Sequence, residues 1–273
     1  MARKEKIIYN GPTYTINKSD NADKIEIEYK DVVYDDSKNI EIPLENKGYY
    51  SAQIIERLNK YLSSYWVNNY VIELIEDKKL LCHNAEQIPV VFRIHLRATK
   101  ESSLLFNVQE DGIIKPEIIQ FFHISEGNLA LIEEEELSQM VPEEHFSQIK
   151  QICYKSAAIL SKYFERRKFL LYSIDFEFGL LDKKVILTGE LSPDRMTLKD
   201  LESNKYVGKF GLLHGDCKDN QCYEIIYNRI FAEKFQPEFE RIKLQEGTLE
   251  TDVIKEFEDE LLDTLTGENG DKK

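Results

Sequence analysis

Ile25, Ile27 and Tyr29 alternate with Glu26, Glu28 and Lys30, and a chain with that period of two must lay one strand face on a core and leave the other in water. The flanking stretches share this character. Lys6 to Ile16 and Lys24 to Tyr34 are rich in Ile, Tyr, Thr and Val, and Asn17-Lys-Ser-Asp-Asn-Ala-Asp23 between them supplies turn residues, which predicts a hairpin with one buried face. Val71 to Ile75, Lys79 to Cys82 and Ile88 to Leu96 return to strand character. One helix interrupts them: after Lys47-Gly48, Ser51 is suited to cap a helix whose Ile54, Ile55, Leu58, Tyr61 and Leu62 follow helical spacing. Residues 1–95 are therefore expected to form an antiparallel, β-rich N-lobe.

From Pro116 the pattern changes. Glu133 to Met140 and Glu143 to Arg167 are predicted helices, Phe169 to Phe178 and Lys184 to Leu191 are predicted strands, and Tyr223 to Phe235 is a further predicted helix. Residues 96–245 thus make a mixed α/β C-lobe, and the class is α+β. The run Glu133 to Glu136 suits a solvated helix start, where the helix dipole favours acids, better than a metal site. Residues 246–273 stand apart: ten acids face Lys255, Lys272 and Lys273, which places half of the formal charge of −14 there. Val253, Ile254, Phe257, Leu261 and Leu262 form a stripe within this acidic extension. The pattern predicts an amphipathic helix docked on its own body, the alternatives being a protein partner or a second copy of the chain.

Apolar residues at 42% and charged residues at 32% exclude a disordered or fibrous chain. The acidic balance argues against nucleic acid as partner but leaves room for a local basic pocket holding one phosphate. No stretch approaches the roughly 20 apolar residues needed to cross a bilayer. No signal-peptide core follows Met1-Ala-Arg-Lys-Glu-Lys6 either, so a cytoplasmic protein without a membrane role is expected. Four scattered cysteines, Cys82, Cys153, Cys217 and Cys222, fit reduced thiols.

Chemistry concentrates between Tyr172 and Asp194. Two strands joined by a tight connection carry Asp175 and Glu177 on the first, and Glu190 and Asp194 on or just past the second. Residues two apart on a strand share a face, so Asp175 and Glu177 point the same way. Paired carboxylates on neighbouring strands suit a hard cation such as Mg²⁺, which takes oxygen ligands and brings a nucleotide's phosphates with it. A surface hairpin with solvated acids is the plainer alternative.

Phe176-Glu-Phe-Gly179 followed by Glu190-Leu-Ser-Pro-Asp194 resembles the L-E-F-G and D-E-x-S-P-D signature of the SAICAR synthetase (phosphoribosylaminoimidazole-succinocarboxamide synthase) family. The order of other segments agrees. Ile8-Tyr-Asn-Gly11 sits where that family opens with Y-x-G-K-x-K, Glu45-Asn-Lys-Gly48 where it has K-G-x-x-N-N, and Gln120-Phe-Phe122 where it has E-F-F. The resemblance implies a two-lobed fold related to kinase and ATP-grasp folds, with the nucleotide between the lobes. It also implies an ATP- and Mg²⁺-dependent ligase of purine biosynthesis, joining the carboxylate of an aminoimidazole ribotide to the amine of aspartate through an acyl phosphate. By the same resemblance Glu177 and Glu190 hold the metal, and Asp194 orients substrate or a metal-bound water. Arg97 and Ser103 match the arginine and serine of the family's R-N-x-A-A-G-S once two inserted residues are allowed. With Arg195 they would bind the phosphate of a nucleotide-like substrate.

Departures from the pattern are concentrated at the site. The lysines of G-K-x-K are absent from Gly11-Pro12-Thr13-Tyr14, and neither Pro nor Tyr offers a cation. Asp175 stands where the family has a lysine, Gly189 where D-E-x-S-P-D begins with an acid, and Thr197 where an arginine follows S-P-D. A catalytically inactive relative that binds a nucleotide-like ligand or a protein partner is therefore the competing expectation, and an altered substrate is a third. Arg93 and Arg97 are also readable as ordinary solvated strand positions. His214-Gly-Asp-Cys217-Lys-Asp-Asn-Gln-Cys222 holds potential soft ligands, but zinc needs a fourth, and an exposed loop with two thiols is the favoured reading.

Overall fold

The computed structural model describes residues 6–125 and 128–232, and in it the period of two becomes a sheet. β1 (Ile7–Asn10), β2 (Tyr14–Lys18) and β3 (Lys24–Tyr29) run antiparallel, with Ile16 opposite Ile27 and Tyr14 opposite Tyr29. Ile25, Ile27 and Tyr29 are buried, as their alternation requires. β4 (Val32–Asp35) and β5 (Ile40–Pro43) form a separate ribbon. After α1 (Lys47–Ser63), β6 (Val71–Glu76) and β7 (Lys79–His83) complete a five-stranded sheet in the order β1-β2-β3-β7-β6. Ala52 and Ile55 of α1 pack on Ile25, Ile27 and Leu80 of this sheet.

α1 starts one turn before the cap expected at Ser51. Asn46 is its N-cap, and Ser51 lies fully buried inside the helix. Gly48 explains the shift. A Cβ there would lie 2.4 Å from the Tyr29 carbonyl oxygen, so only glycine lets the first turn approach β3, where its N–H donates to Asp31 Oδ1 at 2.9 Å. A carboxylate from outside the helix thus caps its first turn.

The second sheet begins with β8 (Glu86–Arg97), the strand in which the expected 95/96 division falls. Next come α2 (Lys100–Phe106), β9 (Ile113–Ser125), β10 (Asn128–Ile132), α3 (Glu134–Met140) and α4 (Glu143–Arg166). They are followed by β11 (Phe169–Leu181), β12 (Lys184–Leu187), β13 (Met196–Asp200), β14 (Lys205–Val207), α5 (Gly208–His214) and α6 (Gln221–Ile230). The sheet order is β10-β9-β8-β11-β13-β14, with β12 also paired to β11 and every neighbour antiparallel. α4 packs on β11 and buries Ile149, Cys153, Ala157, Leu160 and Phe164 at helical spacing, while Ile152, which the same spacing would add to the stripe, is half-buried. α2 has no apolar stripe to announce it. A capping box makes it, in which Thr99 accepts from the Ser102 N–H and the Ser102 hydroxyl accepts from the Thr99 N–H.

These elements form one packed unit ending at Ile230, where the helix expected to reach Phe235 also stops. The amphipathic pattern over 248–264 lies outside the described residues. The expectation of four reduced thiols needs correction. Cys217 and Cys222, with Cα atoms 5.5 Å apart, form a disulfide because the loop joining α5 to α6 folds back on itself. Both sulfurs of the imagined zinc loop are thereby used, whereas Cys82 and Cys153 remain free and buried. Among the described residues no helix is long and apolar enough to cross a membrane.

Candidate functional site

β11 and the loop that follows β12 build the site. β8 and β11 pair in a register that sets Asp175 opposite Arg93 and Glu177 opposite Val91, so the two acids share a face as strand geometry demands. After β12 the chain folds back over β11. Thr188 N–H donates to the Glu177 carbonyl at 2.9 Å, and Asp175 N–H donates to the Arg195 carbonyl at 2.9 Å. Ser192 organises the turn between: its hydroxyl donates to Glu190 Oε1 at 2.6 Å and accepts from the Asp194 N–H at 3.1 Å. Glu190, Asp194 and Arg195 are thereby fixed within reach of the β11 acids.

Three of these acids have a fixed cation. Arg93 binds Asp175 through Nε and Nη2, at 2.6 and 2.8 Å, in the fork geometry that suits a carboxylate. Lys47, fully buried at the start of α1, places Nζ 2.6 Å from Asp194 Oδ2, and the Tyr223 hydroxyl donates to Asp194 Oδ1. Arg195 Nη2 lies 3.2 Å from Glu177 Oε1. Burial alone would raise the Asp194 carboxyl, but Lys47 and Tyr223 outweigh it and hold it below the ordinary range. Glu190 goes the other way. Burial pushes its carboxyl up, against the opposing pull of Lys47 and Arg195.

The turn joining β1 to β2 carries no cation of its own. Lys30, just after β3, supplies one by donating to Asn10 Oδ1 at 2.8 Å and to the Gly11 carbonyl at 2.5 Å. Tyr14 packs between Tyr9 and Tyr29 with its ring tilted to both, the centroids 5.5 and 6.1 Å away. Burial, reinforced by the charges of Glu177 and Glu190, pushes its phenol well above the ordinary range, so Tyr14 stays neutral.

Beside the acids is a cavity of about 270 Å³, lined by Arg93, Arg97, Thr99, Ser102, Arg195 and Lys209 among others. Arg97 Nη1 donates to the Asp111 carbonyl at 3.1 Å, and Lys209 Nζ pairs with Asp36 at 2.6 Å. Four cationic side chains and two hydroxyls can surround one phosphate. Arg97, Asp194 and Arg195 from the expected set border this cavity, as does Thr197 at the family's arginine position. Ser103 does not; its hydroxyl donates to the Lys100 carbonyl within α2, and Ser102 takes the place beside the cavity. A larger open cavity of about 520 Å³ next to β14 and α6 contains none of the expected residues.

Lys47, Lys209, Ser102 and Lys30 are the members of this site that sequence reasoning passed over, and Arg93, readable as a solvated strand position, is instead bound to Asp175. For Lys47 a signal existed, the Lys47-Gly48 pair at the family's K-G. For Lys30 and Lys209 none existed, since both act across the tertiary fold.

A resident Mg²⁺ does not fit these donors as they stand. Glu177 is paired with Arg195, Glu190 Oε1 accepts from Ser192, and among the described residues no three metal-ligating side chains cluster.

A family model described as SAICAR synthetase matches residues 7–210. The phosphoribosylaminoimidazole-succinocarboxamide synthase of Aquifex aeolicus (strain VF5) is 26% identical over 204 residues, 72% of this chain and 94% of that protein. The enzyme of the same name from Methanococcoides burtonii is 25% identical over 236 residues, 84% of this chain and 98% of that protein. Among solved structures, the Ehrlichia chaffeensis synthase superimposes with a TM-score of 0.77 at 22% identity, covering 82% of this chain and 98% of that one. A structure described as SAICAR synthetase (Type-2) in complex with ADP gives 0.78 at 19% identity, covering 84% and 98%. The antiparallel α+β architecture of this chain is the architecture of those structures.

Proposed function

The chain belongs to the SAICAR synthetase family, a family of purine-biosynthesis ligases, and we propose that it joins the carboxylate of a phosphorylated, ribotide-type substrate to an amine at the expense of ATP. One observation supports this most: guanidiniums of Arg93, Arg97 and Arg195 border one cavity together with Asp175 and Asp194, and Arg195 also reaches Glu177. A phosphate ester can be held there by forked donors while its carboxylate end reaches the acids. ATP, when bound, would supply the phosphoryl group that turns a poor carboxylate electrophile into an acyl phosphate. The amine nitrogen then attacks the acyl carbon, inorganic phosphate leaves, and the nitrogen loses one proton. Glu190 is suited to accept that proton, because burial raises its carboxyl and Ser192 occupies only one of its oxygens. Asp194, pinned by Lys47 and Tyr223, stays ionised and orients the reacting end.

A second reading has its own observation. The β1–β2 turn lacks the family's two lysines, and Tyr14 sits near Glu177 and Glu190 as a neutral aromatic. The chain would then bind the phosphorylated ligand without turning it over. Incubation with Mg·ATP, an aminoimidazole carboxylate ribotide and aspartate separates the two. Stoichiometric ADP and amide support the ligase. A rise in melting temperature with the ribotide but no ADP supports the binder. No thermal shift with millimolar Mg·ATP rejects the ligase outright.

A further inference from the structure

The family's motif places an acid where this chain has Gly189, and the fold explains why none is present. A Cβ at Gly189 would sit 2.8 Å from the Glu177 backbone nitrogen and 3.1 Å from the Glu177 Cβ. The loop is packed onto β11 too closely for any side chain. One anionic donor is therefore missing beside Glu177 and Glu190. In the same loop the cation stands at Arg195, two positions before Thr197, where the family has its arginine. Its backbone is held on both sides, with its N–H on the Ser192 carbonyl at 3.0 Å and its carbonyl on the Asp175 N–H at 2.9 Å. Its guanidinium is left to reach Glu177 at 3.2 Å with 26% of the side chain exposed.

We propose that Arg195 is a tethered counter-cation that takes the place of a divalent metal at Glu177 and Glu190, so that the cleft holds its phosphate-bearing ligand without one. Asp175 and Asp194 are already matched by Arg93 and Lys47, which leaves Glu177 and Glu190 as the acids in need of positive charge. A guanidinium suits the task. It is planar, always charged, and can bind a carboxylate with one edge while offering the other to a phosphate; the same side chain lines the cavity. The ligand half of the proposal rests on the function proposed above, whereas the metal half stands on the acids and Arg195 alone.

The test therefore uses Mn²⁺ as probe, with no nucleotide or ribotide, on the full chain. Water-proton relaxation counts bound Mn²⁺ in the wild type, Glu177→Gln, Arg195→Gln and the double variant. Wild type and Glu177→Gln should bind alike, through the acidic surface only. Arg195→Gln should gain a site at least about tenfold tighter, because a positive neighbour a few ångströms away has gone, and the double variant should lose it. Arg195→Lys, which keeps the charge, should behave as wild type. Thermal melts give a second readout: Mn²⁺ should raise the melting temperature of Arg195→Gln and not that of the wild type. Glu177-dependent Mn²⁺ binding by the wild type overturns the proposal. So does an Arg195→Gln chain that neither binds Mn²⁺ nor is stabilised by it. Either result leaves the ligase reading to be decided by its own ADP assay.

Discussion

Replacing Lys47 with Met tests whether fixed cations set the electrostatics of this cleft. Met keeps most of the apolar stem and removes only the ammonium, whose Nζ lies 2.6 Å from Asp194 Oδ2. The lysine side chain is fully buried and the aspartate side chain is 7% exposed, so solvent cannot replace the lost charge. Removing one partner of such a buried pair costs about 3–5 kcal/mol, because the other charge stays buried and unmatched. For a folded body of this size that lowers the melting temperature by about 6–20 °C. Asp194→Asn strands the ammonium instead and should cost a similar amount. The Lys47→Met/Asp194→Asn double variant strands neither charge and still accepts from Tyr223, so its loss should fall short of the summed single losses by up to about 3 kcal/mol. Urea denaturation followed by circular dichroism measures all three. Additive losses, or a Lys47→Met loss below about 1 kcal/mol, would show that the pair does not neutralise the site.

Gly189→Ala should destabilise by about 1–3 kcal/mol through overpacking against Glu177, readable as a lower denaturation midpoint, and an unchanged midpoint contradicts the close approach. Acid should destabilise the fold through Asp194 and Asp200. Burial would raise both carboxyls, but Lys47 and Tyr223 at the first, and Arg229 and Ser203 at the second, hold them below their unfolded values. Their contribution is therefore complete above the ordinary carboxylate range and is lost as pH falls through the folded values, so the melting temperature should drop steeply below about pH 4 and less so in Asp200→Asn. The Cys217→Ser/Cys222→Ser variant should lose at most about 2 kcal/mol, the loop-closure value for so short a ring, and a loss well above that would assign the bridge a larger structural part.

Where local pattern decides structure, the sequence was readable. The alternation at Ile25, Ile27 and Tyr29 and the helical spacing of Ile54, Ile55, Leu58, Tyr61 and Leu62 became the expected sheet face and helix face, because each burial choice depends only on neighbours a few residues away. Ser51 misled because the cap of α1 comes from Asp31, on a different turn. Ser103 misled for a related reason: the capping box of α2 turns Ser102 toward the cavity and Ser103 away. Matching motifs brought Glu177, Glu190 and Asp194 to notice, but not the cations that neutralise their neighbourhood. Arg93, Lys47 and Lys209 lie on β8, α1 and α5, and their partners are far away in the chain. Such pairings exist only once the sheets are assembled, so no spacing rule reveals them.

The central claim is that the cavity between Arg93, Arg97 and Arg195 receives a phosphate-bearing carboxylate. Calorimetric titration of the full chain with an aminoimidazole carboxylate ribotide tests it most directly, alongside Arg97→Ala, which removes a guanidinium that borders the cavity and donates to the Asp111 carbonyl. The account predicts saturable binding that weakens about tenfold or more in Arg97→Ala, the loss of one charge-assisted contact of about 1.5–3 kcal/mol, with the fold unchanged. Binding absent from the wild type, or equal in both chains, would contradict it.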